Sequence, residues 1–381
     1  MKLCFVSSYP PNRANLSEYA NYLVESYMKN KNIDKIIVLA NKHKNAPEIE
    51  KKKNLIIIRC WETNSLLIPF NILKTIKNLD VDLVHFNVSI LSWGTSKLVN
   101  IFGALTPFLI KTLLRKKVIV TLHNTHDTVD LDKINIMRPN KLVLLGLWLM
   151  VYSILGVDAV TVTLKRYVRI LKKRYYKTNI NHVPHGTLPL SIKKPVLGKK
   201  TILGFGFWSQ SKNLPVLVEA FKDLIEEDRE IKLIIAGGSH PAFPELIDKF
   251  KEMYKDIPVD FIGYVPEKKL KKLFDSSTVV VLPYSATRGA SGVLNLACSF
   301  GKPVICTDLE DIRELVNYLD MDVIFINNEH KEQLKKTLKK IIYDENLQKR
   351  MALNNLKAAK KTTFDDVSYL FTDIFKKITK G

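Results

Sequence analysis

The chain has few cysteines, no long hydrophobic run and little acid in its first half, and each shortage narrows the reading. Cys4, Cys60, Cys298 and Cys306 are scattered through 381 residues with no CxxC pair. That argues against a zinc site or a disulfide framework and fits reduced thiols in a cytoplasmic protein. The longest apolar run, "LVLLGLWLMVYSILGV" from Leu142 to Val157, falls short of the roughly 18–20 residues a spanning helix needs. The opening "MKLCFVSSYPPN" holds an apolar run too short for a signal peptide. No membrane span is expected. Residues 1–190 carry 28 basic and 12 acidic side chains, against 31 and 26 in 191–381, within a total charge of +21. A basic half of that size suggests an anionic partner, membrane surface or nucleic acid, with a solvated lysine-rich surface as the alternative. The aromatic-and-basic stacking clusters of the usual nucleic-acid modules do not occur, so nucleic acid is not the expected partner.

What is present is the composition of a folded protein, 46% hydrophobic and 25% charged. The length suits two domains. Short β-branched runs alternate with helical patterns, the signature of parallel sheets with crossover helices. Strands are expected near 2–8, 35–40, 55–60, 83–88, 118–123, 159–163 and 180–183, then near 201–207, 231–236, 259–263, 278–282, 303–306 and 323–326. Helical segments at about 330–343, 346–361 and 364–378 close the chain, and "HGTLPLSIKKPVLGKK" between the two strand series has the look of a linker. The fold class is therefore α/β, with two Rossmann-like doubly wound parallel-sheet domains, 1–190 and 191–361. Ligands of such folds bind at the carboxyl ends of the strands, which makes the cleft between the domains the expected site.

The motifs stand where that rule puts them. After the first strand, "SSYPPNRANLSEYA" offers Asn15 as N-cap ahead of a helix; an ordinary strand–turn–helix connection reads the same way. "DLVHFNV" sets His85 and Asn87, and "VIVTLHNTHD" sets His123 and Asn124, at the ends of two strands of one sheet. Such residues either line a ligand or serve the core. In "ILGFGFWSQSKNLPVLVEAF", Gly206 precedes Lys212, a cation at a helix start. There it opposes the helix dipole unless an anion is bound. "LIIAGG" places Gly237 and Gly238 at a strand end, where small residues permit close backbone approach. "RGASGVLNLACSFGKPVI" then brings Arg288, Ser291 and Gly292 to the start of another helix, with no carboxylate anywhere from 288 to 305. The pairs Asp80-x-Asp82, Asp130-x-Asp132 and Asp320-x-Asp322 are common chance spacings, and no metal site is expected.

In the order of these stretches, with "VPHG" and "FIGYVPEKKL" among them, the chain resembles the retaining glycosyltransferases of family 4, which have the two-domain GT-B fold. The resemblance runs over essentially the whole length. It implies a nucleotide sugar such as a UDP- or GDP-sugar as donor, a glycan or lipid-linked acceptor, no metal and no separate cofactor, and a C-terminal helix (about 362–381) crossing back to the first domain. It also implies that His123 lies near the transferred sugar, with Asn15, His85, Asn87 and Asn124 on the acceptor side. Lys212 would touch the donor diphosphate, and Ser291 and Gly292 would cradle phosphate through backbone N–H groups. Gly206 would belong to the donor site, Val265 and Gly237-Gly238 would flank the base, and Glu314 would match the acid usually found in the helix after the strand–Thr–Asp turn.

The departures concern the acids. Ala14 and Asn15 replace the family's frequent Gly-Gly, Phe207 replaces its Arg, and Glu310-Asp311 replace a second Gly-Gly. The two glutamates spaced eight apart fall on Arg288 and Leu296, which places the chain with the subset carrying an SGVL loop. In retaining transfer of this type the departing diphosphate helps to deprotonate the acceptor, so catalysis rests on electrostatic stabilisation that Lys212, Arg288 and a helix N-terminus supply. A nucleotide-sugar epimerase of the same fold, or a non-catalytic protein binding anionic lipid or nucleic acid, are the alternative readings. The basic amphipathic segment "KRYVRILKKRYYK", 165–177, with the apolar stretches 100–110 and 142–157, suggests peripheral attachment to the cytoplasmic membrane face; buried crossover helices are the competing account.

Overall fold

β-Branched runs build two sheets in the computed structural model, which describes residues 1–13, 16–129, 141–190, 192, 194–241, 243–327 and 330–380. Ala14, Asn15, Asp130 and Asp132 lie outside them. The chain divides into two compact units, one made of Met1–Val129, 141–186 and 364–380, the other of Thr187–Thr363.

The first unit's strands are β1 (Lys2–Val6), β2 (Lys35–Asn41), β3 (Ile49–Lys52), β4 (Leu55–Trp61), β5 (Leu83–Val88), β6 (Lys117–Leu122), β7 (Ala159–Val162) and β8 (Ile180–His182). They lie side by side as 3-4-2-1-5-6-7-8, all parallel except β3. The second unit's strands, β9 (Thr201–Phe205), β10 (Lys232–Ala236), β11 (Val259–Gly263), β12 (Val279–Leu282), β13 (Val304–Thr307) and β14 (Val323–Ile326), run parallel as 11-10-9-12-13-14. Central strands such as β5 and β12 are buried along their whole length, as strands covered on both faces must be. The edge strand β11 instead alternates between half-buried and exposed.

Helices of the first unit are α1 (Ser17–Lys29), α2 (Ile68–Lys77), α3 (Lys97–Leu113), α4 (Lys141–Ile154) and α5 (Lys165–Tyr175). The second unit adds α6 (Leu214–Ile225), α7 (Leu246–Met253), α8 (Glu267–Ser276), α9 (Gly292–Ser299), α10 (Glu310–Leu319), α11 (Lys331–Tyr343) and α12 (Glu345–Ala359). The last helix, α13 (Phe364–Lys380), returns to the first unit and packs on α1. It buries Phe364, Phe371 and Phe375 there, each worth ~1.5–3 kcal/mol relative to exposure. In the second unit Leu217, Val218 and Phe221 of α6 fill one face of the sheet. Phe274 of α8, Leu294 of α9 and Ile312 of α10 fill the other.

Three features differ from the sequence expectation. Strand β3, "IEKK", has no apolar period because it is an antiparallel edge strand, and its charges suit an exposed edge. The stretch read as a linker is stitched to the second unit. There Leu188 N donates to Ser299 Oγ (2.9 Å), Gly198 N to Ser277 O (3.1 Å), and the fully buried Lys302 ammonium to Val196 O (2.5 Å) and Ser277 O (3.0 Å). Burial holds the Lys302 pKa down, to about 8. Finally, the apolar face of the helix within 165–177 does not point outward, although Tyr176 just past its end is exposed. Tyr167, Leu171 and Tyr175 are buried against the first unit, because a crossover helix must cover its sheet, and only the basic face of α5 is exposed.

Candidate active site

Each sheet reverses strand order once, between β1 and β5 and between β9 and β12. In an open α/β sheet the crevice beyond the strand ends at such a reversal is where ligands bind. Both reversals carry polar residues at that point.

In the second unit, β9 ends at Gly206, whose φ is +118° and whose N–H donates to Ala236 O (3.0 Å) at the end of β10. Gly237 follows with φ +105°, donating to Gly263 O (2.6 Å). The next turns interlock, with Trp208 N on Gly238 O (2.9 Å), His240 N on Trp208 O (2.7 Å) and Trp208 Nε1 on Ala236 O (3.2 Å). This lattice fixes the turn Gln210–Lys212, and Lys212 folds back toward Gly206. A β-carbon on Gly206 would stand 2.6 Å from Lys212 Nζ and 2.9 Å from Val293 Cγ2, the second residue of α9. The same ammonium lies 5.0 Å from the Tyr284 ring centre and 5.9 Å from that of Trp208.

From the end of β12 the chain runs through Tyr284 to Arg288. Ser285 N holds Ser211 O (2.9 Å), and Thr287 Oγ1 donates to the buried Asp311 of α10 (2.8 Å). Arg288 Nη1 meets His240 Nε2 at 3.1 Å. Since a guanidinium only donates, Nε2 accepts, and the imidazole is neutral with its proton on Nδ1. Burial first, then Arg288 and Lys212, hold the His240 pKa down, to about 4. Burial and the neighbouring Arg288 lower Lys212 to about 7, and burial lowers Arg288 to about 10. No carboxylate pairs with Lys212 among the described residues. Two cations and a neutral histidine thus converge with no anion to balance Lys212. Such a site favours an anionic ligand.

Ser291 is the N-cap of α9, its Oγ accepting from Leu294 N (3.3 Å). The first N–H groups of the helix, at Gly292 and Val293, are those that helix geometry leaves without an intrahelical acceptor. The helix start therefore presents the N–H groups of Gly292 and Val293, while Ser291 caps it with its side chain. Gly238 has open space where a β-carbon would be. Val265 is half-buried against the core face of α8 and α9, and Glu314 is half-buried in the second turn of α10.

In the first unit, Asn87 Nδ2 donates to Ser7 Oγ (3.0 Å) and its Oδ1 meets His123 Nε2 at 2.7 Å. The amide so oriented accepts, and His123 carries its proton on Nε2 and presents Nδ1 as a base. Its ring stands edge-on to Tyr19, 4.6 Å away, and burial lowers its pKa to about 3. Asn124 Oδ1 accepts from Ile90 N (3.1 Å) and so shapes the β5–α3 loop. Asn15 lies outside the described residues. His85 departs from expectation. It is fully buried, with Nδ1 on Tyr27 hydroxyl (3.1 Å), Nε2 on Thr121 Oγ1 (2.7 Å), and Phe371 packed at 4.7 Å. It sits three residues before the strand end at Val88, beneath α13, where a ligand has no access. Sequence reasoning passed over His240, Tyr284 and Asp311. For His240 a signal existed, since it follows the Gly237-Gly238 turn as His123 follows β6.

Among the described residues no group of three or more His, Cys, Asp or Glu could hold a metal. Comparison with known proteins agrees with this architecture. Residues 191–358 match the family model described as glycosyl transferases group 1. Sucrose-phosphate synthase from Thermosynechococcus elongatus superposes with a TM-score of 0.76 at 14% identity, covering 99% of each chain. Anabaena HepE, solved in complex with UDP and glucose, superposes at 0.71 with 13% identity, again over 99% of each chain. Both have the GT-B fold, and so does this chain. One curated relative, a D-ribose pyranase of Clostridium perfringens (strain SM101 / Type A), is 33% identical over 87 residues, 22% of this chain. The match spans 65% of that relative's length.

Proposed function

We propose that the protein moves a sugar, with retention of configuration, from a nucleoside-diphosphate sugar to a glycan or lipid-linked acceptor in glycoconjugate assembly. The observation that carries this reading is the meeting of Lys212 and the α9 N-terminus at Gly206, by the strand reversal, with Arg288 near Lys212 and no carboxylate on Lys212 among the described residues. A diphosphate supplies the missing negative charge. The group 1 match of residues 191–358 supports a nucleotide-sugar glycosyltransferase, and the UDP held by the Anabaena protein is a ligand of the chemistry this site suits.

In this reading Lys212 and the N–H groups of Gly292 and Val293 stabilise the charge that grows on the departing diphosphate as the anomeric C–O bond breaks. Arg288, held by His240, adds a second cation on the same side. The leaving phosphate oxygen takes the acceptor proton, so no carboxylate need stand in the 288–305 loop. His123, neutral and fixed by Asn87, orients a sugar or acceptor hydroxyl through Nδ1. No metal is required by this charge balance.

A panel of nucleotide sugars incubated with the protein tests the proposal. Release of nucleoside diphosphate from at least one donor is expected, with loss of that release in Arg288→Glu, which sets a negative charge beside the diphosphate. Conversion of the donor to its epimer with no release would identify the chain as an epimerase instead. No thermal stabilisation by any donor would remove both enzyme readings, since a ligand bound only to the folded state must raise its stability.

A further inference from the structure

The first unit leaves a broad apolar surface uncovered. On α3, Leu98, Phe102 and Leu113 are 60%, 47% and 66% exposed, spaced to fall on one helix face. On α4, Leu142, Leu145 and Leu149 repeat the pattern at 78%, 53% and 49%. The opposite faces of the two helices carry the core, Val99 and Ile110 on one, Leu147 and Val151 on the other. Helix α3 packs beside both α2 and α4, and α2 adds exposed Phe70, with exposed Leu67 just before its first residue. An apolar patch of this extent on a soluble surface marks an interaction site.

Charge selects the partner. The segments "IPFNILKTIK", "KLVNIFGALTPFLIKTL", "KLVLLGLWLMVYSI" and "KRYVRILKKRY" of α2 to α5 contain no Asp or Glu, and α5 alone has six basic residues. Helix α5 adjoins the patch directly. Trp148 of α4 stacks on Tyr175 of α5 (6.1 Å) and on Tyr152 (5.1 Å), and Lys177 Nζ lies 4.8 Å from the Tyr152 ring centre. Leucines and phenylalanines bordered by unbalanced lysines and arginines match acyl chains bordered by anionic headgroups. A second copy of the chain would bring like charge against like. Among the described residues no helix is long and apolar enough to cross a membrane, so the fit is to the interface.

We propose that the outer face of α2, α3 and α4, with the basic face of α5 beside it, docks on the surface of an anionic bilayer. The surface does not involve the donor residues, so failure here leaves the donor reading standing and the converse also holds. The test is co-sedimentation of the full chain with phosphatidylcholine vesicles, with and without phosphatidylglycerol, at low and high salt. Binding is expected to the phosphatidylglycerol vesicles, weakened by salt. Lys172→Ala with Lys173→Ala should lower that binding about thirtyfold at low salt, the equivalent of ~1 kcal/mol per basic residue. Leu145→Ser with Leu149→Ser should lower it at high salt, where the apolar contact dominates. All four residues are exposed, and unchanged melting temperatures would show that each variant is folded. Equal binding to both vesicle types, or none at low salt, would overturn the proposal. So would self-association in the absence of lipid that Leu145→Ser with Leu149→Ser abolishes.

Discussion

Lys212→Met should lower sugar transfer roughly 100- to 1,000-fold, the effect of one lost electrostatic donor to a developing charge, while raising the stability of the ligand-free protein. Both effects have one cause. The ammonium is held among Trp208, Tyr284 and Gly206 without a carboxylate, beside Arg288. That arrangement disfavours the charged form until a diphosphate arrives. The folded pKa near 7 lies below the ordinary 10.5, so between those values the folded protein binds fewer protons than the unfolded chain. Lys212 therefore opposes folding fully below about pH 7 and progressively less as pH rises toward 10.5. The stability gap between Lys212→Met and the parent should narrow over that window, and thermal melts across it measure this directly. A bound diphosphate raises the same pKa, so donor affinity should fall as pH rises above about 7 in the parent and not through this group in the variant. A folded variant with unchanged turnover, or a stability gap that widens with pH, would show that Lys212 is an ordinary solvated lysine.

Gly237→Ala should destabilise the second unit by about 2–6 kcal/mol, the sum of left-handed backbone strain and overpacking. At φ +105° an L side chain is disfavoured, and the added β-carbon would stand 2.1 Å from Gly206 O. The two strand ends must then separate, and Gly206 carries the position that Lys212 and Val293 share. Donor binding should weaken with stability. Urea unfolding compared with Gly238→Ala separates this from a general intolerance of the turn, because Gly238 meets nothing within 4 Å of a β-carbon. Equal costs for the two substitutions would remove the close-approach argument.

The parts of the fold that were legible in the sequence are those with a strong local period. The runs of β12 and β13 are short stretches rich in β-branched residues because their strands are covered on both faces, and strands of that kind are expected almost to the residue. Strand β3 was hidden because an exposed edge carries no apolar signal. At the site, Gly206, Lys212 and Gly237 could be placed from strand, glycine and helix in succession. The meeting of Lys212 with Arg288 and His240 could not, because it depends on three loops 28 to 76 positions apart in sequence folding over one another. His85 shows the opposite limit. Its position three residues before a strand end leaves open whether the ring faces ligand or core, and α13, more than 270 residues later, decides for the core.

In the proposed function the negative charge lacking on Lys212 is a nucleoside diphosphate's. A crystal structure of the protein soaked with UDP tests it most directly. The diphosphate is expected at the α9 N-terminus, within hydrogen-bond reach of Lys212 Nζ and of Gly292 or Val293 N, with Arg288 on the same side. A diphosphate seated elsewhere, with Lys212 still unpartnered, would contradict it.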